Sequence, residues 1–286
     1  MSVSLPYVGI GFWRHFPEQD QNGKSLAKAV LAFQEQFGFD LVKITPASTW
    51  QVQDFGFASH WNGNPTGKRE ILDGSIQFLH KLKGRNPSNF FLEQARIAVL
   101  EVKEGLKETK PVLQTLFSPS TQLVQLVGVE GLKELAASNP VLLCSSLDYL
   151  LESTCYQMDC LADSDALFYA IGQAGPIDQA LGSFQEMFEA FDAVPLQDRA
   201  GKQTVVHLHG ENLPSFLLDA LPEYCLIHYE QNPDIVVKPN HWPGLSLKQL
   251  HAPEQEKLRP FLTAGCVLPM HFPTNIIQQW KAKYSL

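Results

Sequence analysis

Apolar positions along the chain switch repeatedly between two periods. "YVGIGF" (7–12) has strand spacing, and "KSLAKAVLAFQEQFG" (24–38) then sets Ala27, Val30, Leu31 and Phe33 at helical spacing and closes on Gly38. "DLVKIT" (40–45) predicts a second strand. The polar, aromatic stretch "PASTWQVQDFGFASHWNGNPTGKRE" follows, and its Gly, Asn and Pro content predicts a long loop of the kind that is usually functional or mobile. "SNFFLEQARIAVLEVKEGLK" predicts a helix capped by Ser88 or Asn89, and "PVLQTLFS" (111–118) a strand. Residues 120–161 read as helix with interruptions at Gly131 and at Asn139-Pro140. Further strands are predicted at 165–172, 204–210, 224–230, 234–239 and 265–269. Helical patterns lie between most of them, including "SFQEMFEAF" and "PSFLLDAL", and "TNIIQQWKAKY" closes the chain.

Eight strands alternating with helices imply parallel pairing through right-handed crossovers. In 286 residues this predicts an α/β protein of one domain, 1–286, folded as a closed (β/α)8 TIM barrel. Barrels of this kind carry their chemistry at the C-terminal ends of the strands. That rule gathers Phe12 to His15, Pro46 to Thr49, Ser118, Gly172 to Gly175, His207, His209, His228 and Cys266 around one rim.

A net charge of −8 disfavours a nucleic-acid binder, because neutralising phosphates takes clustered Lys and Arg. No apolar run is long enough to span a bilayer, and the N-terminus lacks the features of a signal peptide, so a cytoplasmic place without a membrane partner is expected. The five cysteines, at 144, 155, 160, 225 and 266, form no CxxC and are expected as free thiols.

The stretch "TVVHLHGENLP" (204–214) concentrates the candidate chemistry. Val205, His207 and His209 share one face of the predicted strand, and Val206 and Leu208 the other. Two imidazoles thus end a strand on one side, with Cys266 predicted on the same rim. They could hold a metal ion together, or line the rim as polar residues bonded to carbonyls. Cys266 alone reads equally as a small buried hydrophobe. His228 is a candidate general base or fourth ligand. Arg14 and His15 follow a strand and precede Pro17, which suits a guanidinium that grips a substrate carboxylate, or a structural ion pair. Lys43 shares a face with Leu41 and Thr45, so if buried it needs a partner that the sequence does not name. Trp50, Trp61, Phe55 and Phe57 could wall a flat ligand or pack the loop, and Asp40 reads as a turn-orienting residue.

"FWRHFPEQD", "AFQEQFGFDLVKITPASTWQVQDFG", "ALFYAIGQAG", "VVHLHGENLP" and "FLTAGCVLP", in that order, resemble the uroporphyrinogen decarboxylase superfamily over nearly the whole chain. The resemblance implies a (β/α)8 barrel with a cleft for a tetrapyrrole or similar carboxylated small molecule. It also implies an enzyme that is either a decarboxylase or a zinc-dependent methyltransferase moving methyl groups between a corrinoid and a thiol.

Matched to the decarboxylase pattern, the substrate-holding Asp falls on Ala47 while its downstream Gly falls in register on Gly56. The family's Ser falls on Gly172, its Tyr near Gln125 and its His on Cys266, and Arg14 stands where the family has two arginines. Matched to the methyltransferase pattern H-x-C-G with a later Cys, the chain offers His207-Leu208-His209-Gly210 and Cys266, with imidazole in place of one thiolate. Zinc accepts that exchange, and three protein ligands leave a fourth position open. Three expectations follow: a decarboxylase-type enzyme using Arg14 and His228, with His15, Ala47 and Gly172 against the substrate; a zinc-assisted methyltransferase using His207, His209 and Cys266; or a non-catalytic binding barrel. A homodimer is one assembly the chain could form.

Overall fold

The computed structural model describes residues 4–6, 8–82, 87–172, 185–197, 203–209, 224–228, 241–253 and 261–284, for a few of them, His209 and His228 included, by the backbone alone. Its elements are β1 (Gly9–Ile10), α1 (Gly23–Phe37), β2 (Val42–Ile44), α2 (Trp50–Gln53), β3 (Ser59–His60), β4 (Glu70–Ile71), α3 (Ile76–Leu82), α4 (Phe90–Gly105), β5 (Val112–Phe117), α5 (Pro119–Ser138), α6 (Pro140–Cys160) and β6 (Ala166–Gly172). They continue with α7 (Gln185–Gln197), β7 (Thr204–His209), β8 (Tyr224–His228), β9 (His241–Leu245), α8 (Leu247–Leu250), β10 (Phe261–Ala264) and α9 (Thr274–Tyr284).

Among the described residues, eight strands form one sheet in the order β1-β10-β9-β8-β7-β6-β5-β2, and every pairing in it is parallel. This is a mixed α/β fold whose strands succeed one another in space as they do along the chain. The two ends of the order, β1 and β2, meet at Asp40. Its backbone N–H donates to Ile10 O at 3.0 Å, and its Oδ2 accepts from Ile10 N–H at 2.7 Å. Gly9 stands beside it at φ +148°, where a Cβ would come within 2.5 Å of that carboxylate. Asp40 is therefore structural, though it ties two strands rather than only orienting a turn.

The sheet has two differently filled faces. Trp13, Leu41, Leu113, Ala166, Phe168, Val205, Leu226, Trp242 and Phe261 form one inner cluster that draws on strands all round the sheet. The residues between them face the helices: Val42 and Ile44 pack with α1 and α4 residues, and Tyr169, Val206 and Leu208 with Trp50, Leu92 and Ala95. The period of two makes this division, because successive side chains of a strand leave opposite faces.

Local chemistry accounts for the helix ends. α1 stops at Gly38 in the left-handed region (φ 62°), and Asn22 caps its start by accepting from Ser25 N–H. At α4 the Asn89 side chain makes no cap bond, whereas the Ser88 hydroxyl accepts from Phe90 N–H at 3.3 Å and itself donates to Asp54, which also accepts from Phe91 and Leu92 N–H. α5 is kinked at Gly128 rather than Gly131, and the break at Asn139-Pro140 stands where expected. The predicted loop 46–70 contains α2 and one arm of the antiparallel hairpin β3–β4. The strand expected at 265–269 lies earlier, at Phe261–Ala264, and a strand sits at 241–245; the expected strand at 234–239 and helix "PSFLLDAL" lie outside the described residues. No described helix is long and apolar enough to cross a membrane.

Candidate functional site

Alternation along β7 carries its histidine to the inner face. Val205 belongs to the inner cluster while Val206 and Leu208 pack on the helical side, so His207 faces inward and is only 5% exposed. Its Nε2–H donates to Gly265 O at 2.9 Å, and its ring lies 5.2 Å from that of Phe168. Gly265 is held in turn by its own N–H on Leu245 O. The next residue is Cys266, half-buried, whose thiol is pushed up by burial against a smaller opposing pull from Lys68. The sequence thus placed His207 and Cys266 at one end of the sheet. His209 pairs with Gly172 in the β6–β7 register, and its side chain and that of His228 are outside the described residues. Among the described residues, no three His, Cys, Asp or Glu side chains gather at one point.

Two further inward groups stand nearby. Lys43 is 8% exposed, with its ammonium 4.3 Å from the centre of the Phe168 ring and 5.0 Å from that of Trp13. Burial lowers its pKa to about 7. His15, 5% exposed, has a buried Nδ1 without a hydrogen-bond partner among the described residues. Its pKa falls to about 3, first through burial and then through the charges of Lys43 and Lys68, while the Pro46 backbone opposes the shift. The hairpin tip covers this corner: Gly67 packs against the His15 side chain, and Met270 N–H donates to Pro65 O at 2.7 Å. Arg69 anchors the hairpin through Asp20 Oδ1 at 2.8 Å and Pro17 O at 2.6 Å.

The remaining candidates have these surroundings. Arg14 sets its guanidinium over Phe16 and Phe33 and donates to Met270 O at 2.9 Å, so among the described residues its contacts are aromatic and backbone partners, with no acidic side chain. Ala47 is wholly buried among Trp50, Leu92, Ala95 and Leu116, in the layer between sheet and helices. Gly172 ends β6 with its N–H on Thr121 Oγ1 at 2.8 Å and its carbonyl accepting from the same hydroxyl at 3.2 Å. Trp50, Phe55 and Phe57 pack into the outer layer and wall no inner face; Trp61 donates to Asn64 O within the hairpin.

Sequence reasoning missed Lys68, for which the hairpin gave no signal. It also missed a buried carboxylate beside the end of β5. Asp192 of α7 accepts from Ser120 N–H at 3.0 Å and bonds the Ser120 hydroxyl, and its own backbone carbonyl accepts from Tyr169 OH at 3.0 Å. Burial raises the Asp192 carboxyl to about 6, with the Ser120 and Ser118 bonds opposing and Glu189 reinforcing.

No family model and no curated protein matches the chain. Among solved structures it is similar to a methyltransferase from Methanosarcina mazei, at 17% identity and a TM-score of 0.76, over 99% of this chain and 94% of that one. The likeness shows a shared fold across the full length described.

Proposed function

We propose that the chain is a methyl-transfer enzyme of the uroporphyrinogen decarboxylase superfamily, one domain over 1–286 closed into a (β/α)8 barrel and working at the C-terminal mouth. Closure is supported by the inner cluster drawn from strands all round the sheet and by the Asp40 bonds between β1 and β2. The observation that carries the activity is the contact of His207 with the carbonyl beside Cys266, which brings the two ends of the H-x-H-G…C pattern to one place. That the similar protein from Methanosarcina mazei is a methyltransferase supports the same reading. The decarboxylase alternative is weakened by Ala47, which lacks a carboxylate and lies in the outer layer.

Zinc fits this mouth in part. An imidazole and a thiol are donors it accepts, yet the described residues supply only His207 and Cys266, and His207 Nε2 is engaged by Gly265 O. His207, His209 and Cys266 would hold the ion, and bound there it would supply Lewis-acid activation of a thiol acceptor. The chain's own contribution is a closed-in, aromatic-lined interior in which Trp13 and Phe168 exclude water from the reacting groups.

The test is an anaerobic assay of methyl transfer from methylcobalamin to small thiols, run beside an assay of uroporphyrinogen decarboxylation. Methyl transfer that disappears in Cys266→Ala is the expected outcome. Brisk decarboxylation without methyl transfer would overturn the proposal.

A further inference from the structure

Lys43 stands out because its surroundings are unbalanced. It is on the inner face of β2, between the Trp13 and Phe168 rings, and is 8% exposed. Among the described residues no carboxylate lies against it and no acceptor takes a hydrogen bond from its ammonium; its shift has burial as its cause, with no charged neighbour opposing it. Of the other polar side chains of this inner face, Thr115 donates to Ile44 O at 2.7 Å and His207 to Gly265 O, while Thr45 Oγ1, like His15 Nδ1, has no hydrogen-bond partner among the described residues. Cation–π contact offsets part of the cost of burying an ammonium. A buried cation normally requires an opposite charge as well.

We infer that Lys43 is the anchor for a carboxylate of the small molecule that enters the mouth, the ligand supplying the counter-charge that the described residues do not. The geometry favours a monoanion. His15, beside Lys43, is neutral at physiological pH, so the described interior presents at most the one positive charge of Lys43, which a bound carboxylate would hold protonated against the pull of burial, and Lys68 lies exposed at the outer edge. A carboxylate balances that charge, whereas a phosphate dianion would bring one negative charge too many into a water-poor site. The Trp13 and Phe168 faces suit the apolar carbon skeleton that a carboxylate ligand carries behind its head. Unpartnered His15 Nδ1 is a second polar atom within the same corner. This reading takes the mouth as the ligand site, as the proposed methyl transfer does, but it makes no use of the methyl donor or of a metal.

Binding is therefore measured without either, so that failure of methyl transfer and failure of this inference are separate results. The probes are benzoate, its neutral amide benzamide, and inorganic phosphate, titrated calorimetrically into the wild-type protein and Lys43→Met. Benzoate is expected to bind wild type at least tenfold more tightly than either other probe, and Lys43→Met to lose at least tenfold, roughly the worth of one charge-assisted hydrogen bond. Benzamide binding as tightly as benzoate, phosphate binding more tightly, or benzoate indifferent to Lys43→Met each overturns the inference. Should Lys43→Met not fold, acetylation of the wild-type protein read by peptide mass spectrometry replaces it. Benzoate is expected to slow modification of Lys43 and leave that of exposed Lys24 unchanged; no protection of Lys43 overturns the inference.

Discussion

Asp192→Asn should make the protein more stable at neutral pH and leave it unimproved in acid. The wild-type carboxyl is buried at the N-terminal end of α5, where it accepts from Ser120 N–H, and burial raises it from the ordinary 3.8 to about 6. A carboxyl whose folded pKa exceeds its unfolded value contributes stability that is fully present below about 3.8 and is lost as pH rises through about 6. The difference is about two units, and at 1.4 kcal/mol per unit the ionised group costs the fold about 3 kcal/mol above that window. Asparagine keeps both contacts, since its carbonyl can accept from Ser120 N–H and its amide can donate to the Ser120 oxygen, and it cannot ionise. Urea unfolding of both proteins at pH ~4 and ~8 reads the effect, because all other titrations cancel between them. The stability gap in favour of the variant is expected to grow by up to about 3 kcal/mol from the acid to the alkaline condition. A gap that does not change with pH, or one that favours wild type more as pH rises, would refute the reasoning and show that Asp192 is ionised at no cost.

Ala47→Asp should cost about 3 kcal/mol or more, because it drives a carboxylate among Trp50, Leu92 and Leu116 without a donor. Unfolding within about 0.5 kcal/mol of wild type would show that position 47 opens to the mouth after all. If His207, His209 and Cys266 hold zinc, metal content after zinc supplementation should fall sharply in His209→Ala, stay unchanged in the exposed His251→Ala, and drop in acid as the ligands take up protons. Wild type that carries no zinc after supplementation would leave His207 and His209 as polar residues of the rim.

The elements that were legible are those whose sequence signals are local. α1 ends at Gly38, the break between α5 and α6 stands at Asn139-Pro140, and α9 covers the predicted span, because caps and breakers act within a turn. β9 was not legible. It reads "HWPGL", and proline and glycine argue against an inner strand. Here Gly244 is required by tertiary packing, since a Cβ would meet the Gly265 Cα at 2.3 Å where β9 passes the end of β10. α7 likewise runs through Pro195, against its local preference. For the candidate residues the division is similar. The face of His207 follows from alternation, but the place of Arg14 depends on α1 presenting Phe33, and that of Ala47 on α4 presenting Leu92 and Ala95. No period within the strand carries that information.

The inner face nevertheless left a trace in the sequence that alternation alone makes readable. Four strands share one short pattern: Leu41-Val42-Lys43, Leu113-Gln114-Thr115, Val205-Val206-His207 and Phe261-Leu262-Thr263. In each, the first residue joins the inner apolar cluster, and the residue two places on is polar and buried. A period of two puts both on the same face, so the second residues form a polar set one step nearer the C-terminal ends of the strands. Such a set is costly unless each member finds a partner. Thr115 finds the carbonyl of Ile44, His207 that of Gly265 and Thr263 that of Ala264. Only the lysine cannot be satisfied by one neighbouring carbonyl, because it brings a charge as well as donors. The sequence can therefore mark which end of the sheet is polar, and among the described residues Lys43 is the member of that set for which no charged partner is found.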